Sequence, residues 1–99
     1  MELHITIQEV CDSTGLSHET LIEIVEHGIV EPQGQQPEQW LFSGHCLSTL
    51  QRARRLQQDL HLNWQGIALI LELIEQRDQL KAENSALRNR LQRFDPQQE

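Results

Sequence analysis

The first fifty residues contain no lysine and no arginine. All eight basic residues lie between residues 51 and 99, where they face seven acidic ones. The two parts therefore carry formal charges of −8 and +1, which together give the −7 of the whole chain. A strongly anionic stretch disfavours phosphate backbones and anionic membranes, and it favours basic partners. Its acidic residues are Glu2, Glu9, Asp12, Glu19, Glu23, Glu26, Glu31 and Glu38.

Cysteine is also scarce, since Cys11 and Cys46 are the only two and no CxxC motif is present. Two distant cysteines cannot form a disulfide framework, so we expect small buried thiols in a reducing cytoplasm. No pair of cysteines or of histidines has the short spacing of a closed zinc site. The sequence therefore predicts neither a metal nor another cofactor.

Long apolar runs and catalytic motifs are missing as well. The most apolar stretch, IALILELI at residues 67–74, is far shorter than the roughly 20 residues that span a bilayer. The first ten residues lack the basic and apolar regions of a signal peptide. No nucleophile or acid pair is placed with a partner base, and no glycine loop could hold a phosphate. We expect a cytoplasmic protein that is not an enzyme and does not bind membranes.

Two short amphipathic helices are predicted at the start of the chain. Residues 6–9, TIQE, form a capping box in which Thr6 caps the helix and Glu9 reaches back. Gly15 is expected to end this helix. Ser17 is a good N-cap for the second helix, which ends at Gly28. Two helices joined by the short turn between them are typical of a helix-turn-helix.

Two short strands are predicted next, at residues 29–31 and 39–42, on either side of a wing-like loop, PQGQQPE. A third helix is predicted from Ser43. A fourth and longest helix is predicted from an N-cap at Asn63 to about Phe94. Trp64, at its start, is expected to pack into the core.

The predicted fold is therefore mainly all-α. It comprises a winged helix-turn-helix with a two-stranded wing at most, a helical hairpin and a C-terminal coiled-coil helix. We assign residues 1–62 to the helix-turn-helix and wing, and residues 63–94 to the long helix, which packs in the core and then dimerises. Residues 95–99 are predicted to be a disordered tail.

The last part of the fourth helix carries a narrow apolar stripe, here called the apolar seam. Its members are spaced 4, 3, 4 and 3 residues apart, which is the heptad pattern of a coiled coil. A small domain cannot bury such a stripe along a helix of this length, so we predict a homodimer. The polar member, Asn84, is expected to set the register. The apolar seam consists of Leu80, Asn84, Leu87, Leu91 and Phe94.

The predicted second helix has an acidic face, formed by Glu19, Glu23 and Glu26. At about 100° per residue these positions fall within roughly 60° of one another. An acidic face can simply be a solvated one. It can also bind a basic protein surface, and the missing cations favour this second interpretation. DNA binding would need several phosphate contacts that this part of the chain does not offer.

The order of the predicted elements resembles the MerR superfamily. DNA-binding members usually carry Arg-Tyr in the recognition helix, where this chain has LIEI at residues 21–24. Their wing usually has a Tyr-Arg-x-Tyr element, where this chain has QWLF at residues 39–42. The arginines that bind phosphate are therefore missing from both places.

The chain more closely resembles the CbpM family of chaperone modulators. The resemblance rests on WLF at residues 40–42, LNWQGI at residues 62–67 and LKAENSALRNRLQRF at residues 80–94. It implies binding to the J-domain of CbpA, a DnaJ-type co-chaperone, and inhibition by covering the surface that DnaK would bind. J-domains present a basic helix to DnaK, which suits an acidic partner. Our candidate contact residues are Glu19, Glu23 and Glu26, followed by Glu9, Asp12 and Trp40.

Two other functions remain open at this point. A dimeric MerR-type transcription regulator would have to use Arg52, Arg54 and Arg55 to bind DNA. A coiled-coil adaptor would use its helix-turn-helix only as a scaffold. Trp40 also has two interpretations, as an anchor of the wing on the core or as an exposed contact for a partner.

Overall fold

The computed structural model describes residues 4–94, which form four α-helices, one pair of short strands and one 3₁₀-helix. The mainly all-α prediction is confirmed. The predicted disordered tail, residues 95–99, lies outside the described residues. In chain order the elements are β1 (Ile5–Thr6), α1 (Ile7–Thr14), α2 (His18–Glu26), the 3₁₀-helix (Pro37–Gln39), β2 (Leu41–Phe42), α3 (Gly44–Leu60) and α4 (Trp64–Phe94).

The predicted helix starts are confirmed in detail. The hydroxyl of Thr6 accepts a hydrogen bond from the backbone N–H of Glu9, whose carboxylate accepts one from the backbone N–H of Thr6. Ser17 caps α2 through the backbone N–H of Thr20. Asn63 precedes α4, where its side-chain oxygen accepts from the Gly66 N–H at 2.8 Å. Each cap satisfies a backbone donor that has no partner within its helix.

The first two helices end shortly before Gly15 and Gly28, as predicted. Gly15 lies in the left-handed region at φ 76°, and its N–H donates to the carbonyl of Cys11. Gly28 has the same φ, and Ile29 after it donates to the carbonyl of Ile24. Such a reversal suits glycine because it has no Cβ to clash in this conformation.

The predicted strand at residues 29–31 is wrong, and the actual partner of the second strand was missed. β2 pairs antiparallel with β1, with Ile5 opposite Phe42. The wing itself is closed by a single bridge between Gln33 and Leu41. Val30 is only 6% exposed because its side chain packs into the core, so residues 29–31 contribute packing rather than strand pairing.

A small apolar core lies in the compact unit that ends at Leu69. Trp64 is partly buried against it, as predicted, and so is Trp40. Cys11 and Cys46 are free and buried, which confirms their interpretation as small apolar residues. Ser43 begins α3 as predicted, by capping the N–H of Cys46. The largest fully buried side chains are Phe42, Leu21, Ile24, Leu50, Ile67 and Val10.

The second compact unit begins at Ile70, and its described part is the remainder of α4. This single helix has no core of its own, because the side chains from Glu75 to Phe94 are all exposed. None of the helices described between residues 4 and 94 is long and apolar enough to cross a membrane.

Candidate functional site: the acidic face of the helix-turn-helix

Helix α2 separates its apolar and acidic residues onto two sides. Leu21 and Ile24 are fully buried in the core. Glu19, Glu23 and Glu26 are all exposed. A helix with buried side chains at this spacing must present its other side to solvent. The structure therefore places the three predicted contact residues together on an accessible face.

The acidic face has little compensating charge. The Glu23 carboxylate lies 4.0 Å from Nε2 of His27, one turn along the same helix. Within residues 4–94, no lysine or arginine nitrogen lies within 4.0 Å of a carboxylate of this face. Neighbouring like charges on one helix repel by a few tenths of a kcal/mol. Local helix stability therefore does not explain the acidic face.

The two acidic residues predicted on α1 are already used within the chain. The capping hydrogen bonds from Thr6 hold the pKa of Glu9 below its usual value, because they stabilise the ionised carboxylate. Asp12 accepts a hydrogen bond from the Gln8 amide at 3.0 Å. The side-chain oxygen Oε1 of Gln8 lies 3.2 Å from Nε2 of His18, at the start of α2. No pattern in the sequence indicates this link between the two helices.

Trp40 combines the two interpretations proposed for it. Its ring meets the ring of Phe42 edge to face, with centroids 6.1 Å apart, and anchors the wing. The half-buried Trp40 also lines an open groove of about 420 Å³, here called the wing groove. The other lining residues are Val25, Gly28, Val30, Glu31, Pro32 and Gly34.

One of the three arginines required for a DNA-binding function has a structural role. The guanidinium of Arg54 donates a hydrogen bond to the carbonyl of Thr14, at the end of α1. A Cβ on the neighbouring Gly15 would lie 2.9 Å from that guanidinium. Helix α1 has no basic residue in its own last turn, so Arg54 supplies the cation that a helix C-terminus favours. Arg52 and Arg55 are exposed on α3.

The thiol of Cys11 is not placed for chemistry. Burial raises its pKa, and the negative charge of Asp12 raises it further. A thiol with a raised pKa is a poor nucleophile and a poor metal ligand. In the described part of the chain, His, Cys, Asp and Glu side chains form no group of three that could hold a metal ion.

The predicted dimerisation residues lie along one exposed stripe of α4. The exposed fractions are 64% for Leu80, 57% for Leu87, 71% for Leu91 and 82% for Phe94. Asn84 is exposed among them. Steps of three and four residues extend the stripe back through Arg77, Leu73 and Ile70, which the sequence reasoning did not include.

Comparisons with known proteins agree with this architecture. A family model described as MerR HTH family regulatory protein matches residues 5–89. A chaperone modulatory protein CbpM from Pseudomonas entomophila is 48% identical over 92 residues, which cover 93% of this chain and 91% of the relative. The CbpM of Pseudomonas putida strain GB-1 is 46% identical over the same shares of both chains.

A third relative comes from a different genus. The chaperone modulatory protein CbpM of Citrobacter koseri is 48% identical over 89 residues, or 90% of this chain and 88% of the relative. Matches at this level over nearly the whole of both chains establish the family. The chain belongs to the CbpM family of chaperone modulatory proteins, and its helix-turn-helix is of the MerR type.

Proposed function

We propose that this protein is a non-catalytic cytoplasmic inhibitor of a DnaJ-type co-chaperone related to CbpA. Its acidic face binds the basic helix of the J-domain and covers the surface that DnaK would otherwise engage. The observation that carries this proposal is the exposure of Glu19, Glu23 and Glu26 without a neighbouring lysine or arginine. Membership of a chaperone modulator family supports a chaperone partner.

Electrostatic attraction would mainly speed this association and make it sensitive to salt. Charges on opposing surfaces steer encounter over about one Debye length, roughly 8–10 Å at moderate ionic strength. The absence of lysine and arginine from residues 1–50 extends the negative potential beyond α2. A basic helix would therefore be attracted to this region before it makes close contact.

DNA binding is a poorer explanation of the same surface. The acidic face would repel phosphates. Arg54 already donates a hydrogen bond to the backbone carbonyl of Thr14. Arg52 and Arg55 alone offer few phosphate contacts. We therefore assign the helix-turn-helix to protein binding.

A homodimer through α4 completes the proposal. The exposed leucines of the apolar seam follow a heptad pattern that a second copy can bury. Asn84 would restrict which registers of the two helices are stable. A dimer would present two acidic faces, one on each copy.

The test is a titration of a purified CbpA-type J-domain, combined with J-domain-stimulated DnaK ATPase activity. Replacing Glu19, Glu23 and Glu26 with lysine removes three attractions of about 0.2–1 kcal/mol each and adds repulsion. We expect the dissociation constant to rise at least about tenfold. We also expect inhibition of the ATPase to weaken in parallel.

The matched control variant changes the net charge by the same amount at three other positions. Asp59, Glu72 and Glu75 are exposed on α3 and α4 and can be replaced with lysine in the same way. This control should shift the dissociation constant by less than about threefold, because these carboxylates are not part of the acidic face and act mainly through the screened net charge. Equal effects of the two triple variants would reject the acidic face as the binding site. Binding of a DNA duplex at low salt, without J-domain binding, would support the regulator instead.

A further inference from the structure

The wing groove is an open cleft beside the C-terminal end of α2. Val25, Val30, Pro32 and Trp40 contribute apolar surface to its walls, and polar atoms supply a nearly equal share. Its volume of about 420 Å³ lies within the roughly 300–1,000 Å³ that is usual for ligand pockets. No part of the proposed electrostatic contact uses this cleft.

The walls of the wing groove are fixed by the fold. Gly34 has φ 114°, and a Cβ there would lie 2.7 Å from the carbonyl oxygen of Gln39, so only glycine fits this close approach. Gln33 and Leu41 exchange two backbone hydrogen bonds, of 3.0 and 2.9 Å. Trp40 is held by its edge-to-face contact with Phe42. A cleft with rigid walls can bind a side chain without a large ordering cost.

One acidic residue lies in the lining of the wing groove, and another follows a lining residue on α2. Glu31 is the only ionisable residue in its lining. Glu26 follows the lining residue Val25 on α2 and is exposed. A partly apolar cleft with carboxylates in and beside its lining favours a segment that carries an apolar side chain between basic ones, and it disfavours phosphate groups.

We propose that the wing groove receives one large aliphatic or aromatic side chain from the basic helix of the bound J-domain. Glu26 and Glu31 contact basic residues on either side of it. This inference rests on the proposed function and adds an apolar anchor to it. Buried apolar anchors usually carry most of the energy of an interface, whereas exposed charges mainly set its rate and specificity.

The first test compares two single charge reversals on the wing. Glu31→Lys changes the lining of the wing groove, and Glu38→Lys changes a carboxylate outside the lining. Both alter the net charge equally, so long-range steering is matched. We expect Glu31→Lys to raise the J-domain dissociation constant at least about fivefold and Glu38→Lys less than about twofold.

The second test fills the cleft without changing any charge. Val25→Phe adds bulk at a lining residue, whereas Ile22→Phe adds it at another half-buried position of α2 outside the lining. Circular dichroism and thermal unfolding establish that both variants fold. We expect only Val25→Phe to weaken J-domain binding, by at least about fivefold, because the anchor loses its space.

The third test uses Trp40 fluorescence to detect occupation of the cleft. In a Trp64→Phe background Trp40 is the sole tryptophan of the chain. A J-domain variant without tryptophan should shift Trp40 emission to shorter wavelength, because the anchor removes water from the ring.

Emission that stays unchanged at saturation overturns the inference. Equal effects of Glu31→Lys and Glu38→Lys, or of Val25→Phe and Ile22→Phe, overturn it as well. In those cases J-domain binding itself persists. No binding of the J-domain by the unchanged protein overturns both this inference and the proposed function.

Discussion

The two compact units use the same amino acid in opposite ways. Leu21 and Leu50, in the unit that ends at Leu69, are fully buried in the core. Leu80 and Leu91, in the unit that begins at Ile70, are 64% and 71% exposed. The first pair is stabilised within the chain. The second pair can gain comparable stabilisation only from another molecule. Folding and the proposed self-association would therefore depend on separate stretches of this sequence.

The units also differ in charge. Up to Leu50 the chain has only acidic charges, whereas the last turns of α4 carry Arg88, Arg90 and Arg93 and no acid. Under the proposed function, the anionic stretch selects a basic partner. The proposed self-association relies instead on apolar side chains. The two activities should therefore respond differently to salt and to dilution.

Replacing one leucine in each unit with alanine should show the largest contrast. Leu50→Ala should lower the free energy of unfolding by about 2–5 kcal/mol, because it opens a cavity in the core. Leu87→Ala should change it by less than about 0.5 kcal/mol, because this side chain is exposed. The measurement is urea unfolding at low protein concentration, followed by tryptophan fluorescence.

Both tryptophans, Trp40 and Trp64, lie in the first unit, so their fluorescence reports its unfolding. Leu50→Val provides a milder cavity and should fall between Leu50→Ala and the unchanged protein. Similar destabilisation by Leu50→Ala and Leu87→Ala at low concentration would contradict the separation of the two units.

Self-association should reverse this contrast. Leu87→Ala should weaken the homodimer at least about tenfold, or about 1.4 kcal/mol, because each copy loses an apolar contact. Sedimentation equilibrium measures the change directly. Far-ultraviolet circular dichroism on dilution gives a second readout, because an isolated helix is only marginally stable in water.

Ala86→Ser is the control, since residue 86 is exposed on α4 but lies outside the heptad positions of the seam. The dissociation constant of the Ala86→Ser homodimer should stay close to that of the unchanged protein. A homodimer that tolerates Leu87→Ala as well as Ala86→Ser must form through another surface.

The helix limits could be predicted because their signals are local. Thr6, Ser17, Ser43 and Asn63 each cap a helix that begins at the next residue, and every bond involved spans three residues. A hydroxyl or amide at such a position identifies a helix start without knowledge of the tertiary fold. The acidic face could be predicted for the same reason, since helical spacing alone brings its carboxylates together.

The missed features all depend on contacts between distant residues. β2 pairs with Ile5 and Thr6 rather than with residues 29–31. Val30 packs into the core instead, and this packing depends on residues that are far apart in the sequence. Arg54 reaches Thr14 across forty positions of the chain. The wing groove exists only once the wing is folded against α2. No periodicity in the sequence marks any of these contacts.

Removing the first helix cap should have a smaller effect that belongs to the first unit alone. Thr6→Ala deletes the hydroxyl that accepts from the Glu9 N–H, and it should lower the free energy of unfolding by about 1 kcal/mol. Thr6→Ser keeps the hydroxyl and should recover most of the loss. Urea unfolding measures both variants. A change in self-association with Thr6→Ala would contradict the independence of the two units.

The smallest expected effect concerns the charge of the same cap. Hydrogen bonds from Thr6 lower the pKa of Glu9 from its ordinary value of 4.5. A lowered pKa in the folded state means that the ionised carboxylate stabilises the fold fully above pH 4.5, and that this contribution is lost as the pH falls through the folded-state pKa. Glu9→Gln keeps an acceptor but removes the charge. Thermal unfolding should therefore show a small advantage of the unchanged protein at pH 7 that shrinks towards pH 3.

Glu38→Gln removes one exposed carboxylate from the wing and corrects for the general effect of net charge. Sedimentation of the same samples measures self-association. Glu9→Gln should not make self-association depend on pH, because Glu9 lies in the first unit. If the difference between the unchanged protein and Glu9→Gln were equal at pH 7 and pH 3, the charge of Glu9 would add nothing to the cap. The first unit would then depend on the Thr6 hydroxyl alone at this helix end.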